Sequence, residues 1–497
     1  MSNLHRRLAL LLAVALVAAT SMWGSASQAQ EGSGPDEPLP LIFVHGGFGS
    51  GQQFEAQALR FTSNGYPAEY LEMFEHNSLA YPGSQDEVHA RLDTAIDDLL
   101  AATGHEQLWL AGHSQGTGVV QSYLADATRA GRVEAYVNLD GGSGGSVPDG
   151  VRTLAVWGEG DASRELPGAT NVQFADQGHT EVVNSPETFA AMYEFLLGEA
   201  PTFTEVVREP ADDIVVSGRV QLFPENTGAQ NATLEIYEVD GTTGLRLGDP
   251  VATYPLSGEG NWGPVNVDGE AFYEFAVIRP DSGTHHIFTQ RFVRSSRWVR
   301  ILTGEPDGLA DSFWEKSDDR QNIVIMRNTE WWGDQGDASD RLEINGQDVL
   351  TPEVSPRTNR TIGIFVHDAE LDYLSDLSQP VSPSGVPFLT GIDLVLAAGD
   401  PAPGTTSVRS HPRKGDGPEG VCIPAYSSTN HRSSVQLNSY HQMLNPDGSP
   451  AEGQADPTCA DAPPPLDPPA PTPTDPASQA PGASAATPIA AAPGYTG

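Results

Sequence analysis

The pentapeptide Gly112-His113-Ser114-Gln115-Gly116 is where residue type and spacing most clearly imply chemistry. It follows an apolar run, Leu108-Trp109-Leu110-Ala111, and opens a helix-forming run that continues to Ala125. This is the strand-to-helix context that G-x-S-x-G requires. A glycine on either side lets the chain turn sharply around a strained serine, where a Cβ would clash. The turn exposes the hydroxyl and aims a helix N-terminus at it, which favours developing negative charge. A serine hydroxyl is a poor nucleophile without a base. His179, in Asp176-Gln177-Gly178-His179 just past a strand expected at 171–175, is the candidate base. A carboxylate must hold that imidazole in one tautomer and stabilise its cation. Asp140 and Asp161 both follow strand-like runs between Ser114 and His179, and the residues alone do not choose between them. The tetrahedral intermediate needs two backbone N–H groups. Gln115 supplies one. The loop His45-Gly46-Gly47-Phe48-Gly49 supplies the other, from Gly47 or alternatively Phe48.

Other chemistries fit less well. The glycines at 46, 47 and 49 are not followed by Lys-Ser/Thr, so they do not make a phosphate loop. His113 and His45 are expected to pack or hydrogen-bond beside the catalytic loops. His285-His286 has no ligand at metal spacing, and no H-E-x-x-H occurs. Neither a metal nor an organic cofactor is called for. With 26 Lys and Arg against 66 Asp and Glu, the formal charge is −40. That excludes nucleic-acid binding through a basic phosphate-neutralising surface and argues against docking on anionic headgroups.

Residues 38–200 alternate short apolar strands with helix-period runs, which implies a mostly parallel sheet covered by helices. Val88, Leu92, Ala95, Ile96 and Leu99 share one helical face, and Ser84 with Glu87 has capping-box spacing. Ser185 is expected to start a last helix and Gly198 to end it. From about 202 to 440 the pattern becomes period two with Asp-Gly and Asn-Gly turns, which reads as β-sandwich structure with a soft boundary near Leu302. Arg291, Arg294, Arg297 and Arg300 are expected to pair with local carboxylates, and Trp331-Trp332 to be buried.

At the start, His5-Arg6-Arg7 and the 12 apolar residues 8–19 resemble a secretory leader with cleavage after Ala29. No later run reaches the roughly 18 apolar residues of a membrane span. The mature chain is thus expected outside the cell, where Cys422 and Cys459 can form a disulfide. From 445 a Pro- and Ala-rich segment buries too little apolar surface to offset its ordering entropy and reads as a disordered tail. The expected division is 1–29 leader, 30–200 catalytic, 201–302 and 303–444 β-rich, and 445–497 tail.

Together these residues resemble secreted α/β-hydrolase lipases, and the archaeal long-chain lipase family with a C-terminal β-domain in particular. The likeness is carried by Val137-Asn138-Leu139-Asp140-Gly141-Gly142, by Arg152 to Val156, by Asn184 to Ala190, and by Ile423 to Ser428 with His431. It spans most of the chain up to about Tyr440. It implies an α/β-hydrolase domain, an acid at Asp140, and a β-domain that shelters acyl chains and docks on lipid aggregates. Only ten residues, 141–150, separate Asp140 from Val151, too few for an inserted helical lid. The expected activity is hydrolysis of long-chain acyl esters through an acyl-enzyme. The alternatives are a short-chain or polyester esterase, and a secreted binding protein with a dead hydrolase domain.

Overall fold

The computed structural model describes residues 38–143, 145–280, 282–415 and 417–466. The expected leader and the tail beyond 466 lie outside the described residues. Six strands form one parallel sheet: β1 (Leu41–Val44), β2 (Leu71–Phe74), β3 (Leu108–His113), β4 (Val133–Leu139), β5 (Arg152–Trp157) and β6 (Thr170–Gln173). Their spatial order is β2-β1-β3-β4-β5-β6. The helices are α1 (Glu55–Ser63), α2 (Gln85–Thr103), α3 (Gln115–Leu124), α4 (Ala127–Ala130), α5 (Glu181–Asn184) and α6 (Pro186–Leu197). β1 and β3 are buried at every position because helices cover both faces. Leu41, Phe43 and Trp109 pack with Phe61 of α1 and Phe189 of α6. Ile42, Val44 and Leu110 point the other way, onto Leu92 and Ile96 of α2 and Val120 of α3.

Helix ends follow the local sequence with one exception. Ser185 caps α6, its Oγ accepting from the Thr188 amide at 3.1 Å, and Gly198 closes it at φ 78°. Ser84 precedes α2 but makes no cap hydrogen bond. Its backbone is near-helical (φ −99°, ψ 20°) rather than extended, and its amide already bonds the Ala80 carbonyl, so the expected capping box does not form.

The β-rich region is built on one nine-stranded sheet whose strands come from both sides of position 302, while Leu302 itself lies in Ser296–Thr303 of a smaller sheet. At its centre His431–Gln436 lies parallel to both Thr284–Thr289 and Ile323–Trp331. Two four-stranded sheets cover its opposite faces. In the strand Phe272–Ile278, Tyr273, Phe275 and Val277 join the cluster of Val216, Trp262 and Ile301. Phe272 and Ala276 join Leu342, Val408 and Ile423 on the other side.

The arginine cluster works across the junction with the helical half as well as locally. Arg291 pairs with Glu270 at 2.9 Å. Arg300 is buried and donates to Glu75, next to β2, at 2.6 Å. Arg294 bonds the Thr62 carbonyl at 2.7 Å, and the Trp298 indole N–H bonds that of Leu71 at 3.1 Å. Val293, Trp298, Tyr440 and Met443 belong to the same apolar cluster as Phe61 and Phe189. Trp331 and Trp332 are both buried; the guanidinium of Arg327 lies 3.7 Å over the first, and Arg357 and Arg413 lie 3.8 and 3.7 Å over the second.

Cys422 and Cys459 form a disulfide. The first part of the expected tail is therefore not loose. The Thr405 amide bonds the Asp461 carbonyl at 3.1 Å, Arg409 pairs with Asp456, and Ala451 bonds back to Met443 at 2.9 Å. These backbone bonds, together with the crosslink, anchor residues 445–466, which composition alone assigns to a disordered segment.

Candidate active site

Ser114 stands between β3 and α3 with φ 49° and ψ −120°, a conformation that costs free energy in any residue but glycine. The glycines beside it are needed for contact. A Cβ on Gly112 would lie 2.8 Å from the Gly116 carbonyl oxygen, and one on Gly116 would collide with the Val44 carbonyl. The ten-residue helix α3 starts at Gln115, so the positive end of its dipole faces the serine.

His179 lies in the loop between β6 and α5. Its Nδ1 is 2.5 Å from Asp140 Oδ2. Asp140 directly follows β4, at φ 46°. Its other oxygen accepts from the Gly158 amide and from Arg164 Nη2, each at 2.9 Å. Burial alone would raise this carboxyl. The hydrogen bond and charge of His179, the Arg164 guanidinium and the Gly158 amide outweigh it and pull the group down to about 2. Asp161 is elsewhere: it is exposed, and its carboxylate accepts from the amide and hydroxyl of Ser163 at 2.8 and 2.7 Å. That is a turn residue satisfying its own backbone. Of the two candidate acids, only Asp140 reaches the imidazole.

His113 is a buried neighbour of the elbow. Burial lowers its imidazole well below the usual range, and the neighbouring His179 lowers it further. In the neutral ring, Nε2–H donates to the His179 carbonyl at 3.0 Å and Nδ1 accepts from Gln53 Nε2 at 2.7 Å. Its partners fix this tautomer, since the carbonyl only accepts. His45 is buried, stacks on His76 with ring centres 4.2 Å apart, and touches Asn226 Nδ2 at 3.1 Å. Asn226 comes from the β-rich region and also donates to the Gly49 carbonyl at 2.7 Å, so the glycine loop is held from outside the helical half.

Ser114, His179, Gly47, Gly49, Gln53 and Asn328 are among the residues that line one cavity of about 20 Å³. Gly47 therefore borders the same cavity as the serine. The Phe48 amide is already engaged, donating to Ser78 Oγ at 3.1 Å. Phe388 and Ile362 of the β-rich region also line the cavity. The Phe388 ring lies parallel to the His179 ring at 6.1 Å, on a backbone with φ 67°. No sequence motif marks Arg164, Phe388 or Glu330 (which bonds the His179 loop), because each reaches the site through tertiary contact. His285 and His286 are buried in the β-rich sheet far along the chain from these loops, and among the described residues no group of His, Cys, Asp and Glu is arranged to hold a metal. Among the described residues no helix is long and apolar enough to cross a membrane.

Comparison with known proteins bears on the fold and on the β-rich region. Residues 212–306 match the model of the lipase C-terminal domain. Residues 309–441 match a second model, described only as a "-like, C-terminal domain". No curated protein matches the chain. Among solved structures, the product of a Listeria innocua gene covers 34% of this chain and 97% of its own at 14% identity and TM-score 0.27. A Bacillus licheniformis lipase covers 33% and 94% at 16% identity and 0.26. A Bacillus subtilis carboxylesterase covers 34% and 86% at 16% identity and 0.23. At such scores these likenesses carry no argument, and the fold stands on the sheet order and the elbow. Residues 38–198 thus form an α/β-hydrolase domain, and the β-rich region that follows opens with a segment matching the lipase C-terminal domain.

Proposed function

We propose that the chain is a secreted serine ester hydrolase that acts on acyl esters, with long-chain lipids as its substrate class. The observation that carries this reading is the strained Ser114 sharing one cavity with a His179 whose Nδ1 is bound to a buried, ionised Asp140. In this mechanism Ser114 Oγ attacks the ester carbonyl carbon and gives its proton to His179 Nε2. Asp140 keeps the other proton on Nδ1 and stabilises the imidazolium. The amides of Gly47 and Gln115 hold the developing oxyanion. His179 then returns the proton to the departing alcohol, leaving an acyl-Ser114. Water, deprotonated by His179, releases the acid. Secretion fits the crosslinked Cys422 and Cys459, since disulfides persist in oxidising compartments.

What supports a lipid substrate is the match of residues 212–306 to the lipase C-terminal domain, together with an apolar wall, Ile362 and Phe388, contributed by the separate segment 309–441. A second reading, a short-chain esterase, is favoured by the small space beside Ser114, about 20 Å³. Initial rates on p-nitrophenyl esters of increasing chain length and on emulsified triglyceride, with Ser114→Ala as control, separate the two. Rates rising with chain length and lost in the variant support the lipase. Rates confined to short chains support the esterase. Full ester hydrolysis by Ser114→Ala refutes both.

A further inference from the structure

The strand Ile323–Trp331 pairs residue for residue with Thr361–His367 from Ile323↔Val366 to Met326↔Gly363, then resumes only at Trp331↔Thr361. Residues 327–330 therefore stand opposite Ile362 alone. Such a bulge re-aims side chains away from the sheet. It is braced from within. Arg327 Nε and Nη2 donate to the carbonyls of Thr329 and Glu330, both at 2.9 Å, and Arg413 Nη1 donates to the Glu330 carbonyl at 2.7 Å.

The outer edge of the bulge meets α5 and the loop before it that carries His179. The Asn328 carbonyl accepts from Asn184 Nδ2 at 3.0 Å, and Thr329 Oγ1 donates to Asn184 Oδ1 at 2.9 Å. Glu330 is fully buried and accepts three hydrogen bonds. The Thr180 amide reaches Oε1 at 3.1 Å; the Thr180 hydroxyl and the Glu181 amide reach Oε2 at 2.6 and 2.7 Å. All three donors lie within two residues of His179. A Cβ on Gly178 would collide with Glu330 Oε1, so the loop is also packed against this carboxylate on the other side of the histidine.

We propose that Glu330 is a positioning residue for the base: it fixes the backbone from Gly178 to Glu181 and so holds the His179 ring between Asp140 and Ser114. The idea rests on the serine-hydrolase reading above. Three groups then share the task. Asp140 orients the ring, His113 holds the His179 carbonyl, and Glu330 holds the two amides that follow. Without Glu330, two N–H groups and a hydroxyl lose their acceptor inside the protein, and the loop must shift to find others. A displacement of the reacting atoms by about 1 Å is enough to cost about 100-fold in rate.

The test uses the full chain with p-nitrophenyl butyrate. Glu330→Ala is expected to lower kcat by about 30-fold or more while KM changes less than about 3-fold, because the groups that bind substrate stay in place. Thr180→Val removes one of the three donors and should cost about 3-fold. The double variant should be no worse than Glu330→Ala alone, since both act through one contact. Hydrogen exchange should show the Thr180 and Glu181 amides losing protection while the β3 amides keep theirs. If Glu330→Ala does not fold, Glu330→Gln takes its place; its single oxygen cannot serve all three donors. A folded Glu330 variant with kcat within about 2-fold of wild type, or with unchanged exchange at Thr180 and Glu181, overturns the proposal. Activity that survives Ser114→Ala overturns the hydrolase reading instead, so the two failures are distinct.

Discussion

Asp140→Asn should disable the base while leaving its geometry intact, and the surrounding hydrogen bonds say why. Asp140 Oδ1 faces two donors, the Gly158 amide and Arg164 Nη2, each at 2.9 Å. An asparagine must keep its carbonyl oxygen there, because turning its NH2 toward two donors would leave both unpaired in a buried site. The NH2 then points at His179 Nδ1, 2.5 Å from the present oxygen. Nδ1 becomes the acceptor, and the ring carries its proton on Nε2, the atom that should take the proton from Ser114. Loss of the correct tautomer is worth about 10⁴ in kcat, or about 5 kcal/mol of transition-state stabilisation. The assay is kcat and KM on p-nitrophenyl butyrate near pH 8, with Asp161→Asn in parallel. Asp161 bonds only Ser163 and its neighbours in its own turn, so that variant should stay within about 2-fold of wild type. The reasoning fails if Asp140→Asn loses less than about 10-fold, or if Asp161→Asn loses comparably. The same carboxyl carries a stability signature. Its folded value, about 2, is below the ordinary 3.8, so it stabilises the fold above that ordinary value. The contribution, of the order of 2 kcal/mol, is lost as pH falls from about 4 toward 2.

Phe388→Ala should open the cavity over Ser114 and His179; labelling by a bulky fluorophosphonate should quicken by about 3-fold or more, and an unchanged rate would show that Phe388 does not limit entry. Cys459→Ser should reduce stability by about 3–4 kcal/mol in the loop-entropy account, because the crosslink closes a separation of 37 residues; a denaturation midpoint equal to wild type under oxidising conditions would contradict it, and activity at 25 °C should persist.

The helical half is legible in the sequence because its signals are local. The elbow glycines, the cap at Ser185 and the stop at Gly198 are each set by a few neighbouring residues. The alternation that sends Leu41 and Phe43 to one face and Ile42 and Val44 to the other is equally local. Ser114 and His179 can be named for the same reason. The acid is named only by the family resemblance, which points to Asp140; locally Asp140 and Asp161 both follow strands, and what separates them is the Gly158 amide, Arg164 and the ring of His179 converging on one carboxylate. Glu330 and Phe388 are further from view. Nothing beside Glu330 in the chain says that a bulge will turn it toward a loop 150 residues earlier. The expected disordered segment fails at its start for a related reason: composition counts apolar surface but not the crosslink at Cys459 that ties it down.

The order of strands in the large sheet has a consequence for how the molecule is made. His431–Gln436 fills the gap between Thr284–Thr289 and Ile323–Trp331, so both of those strands wait with an open edge until the strand from His431 onward has been synthesised. Pairings that span such sequence distances form slowly and late, and domains otherwise tend to fold from the N-terminus onward. The bulge that carries Glu330 belongs to one of the waiting strands. A ribosome-bound intermediate can thus complete the serine elbow while the support for its histidine loop is still missing, so the full arrangement around Ser114 and His179 exists only once the β-rich region has closed.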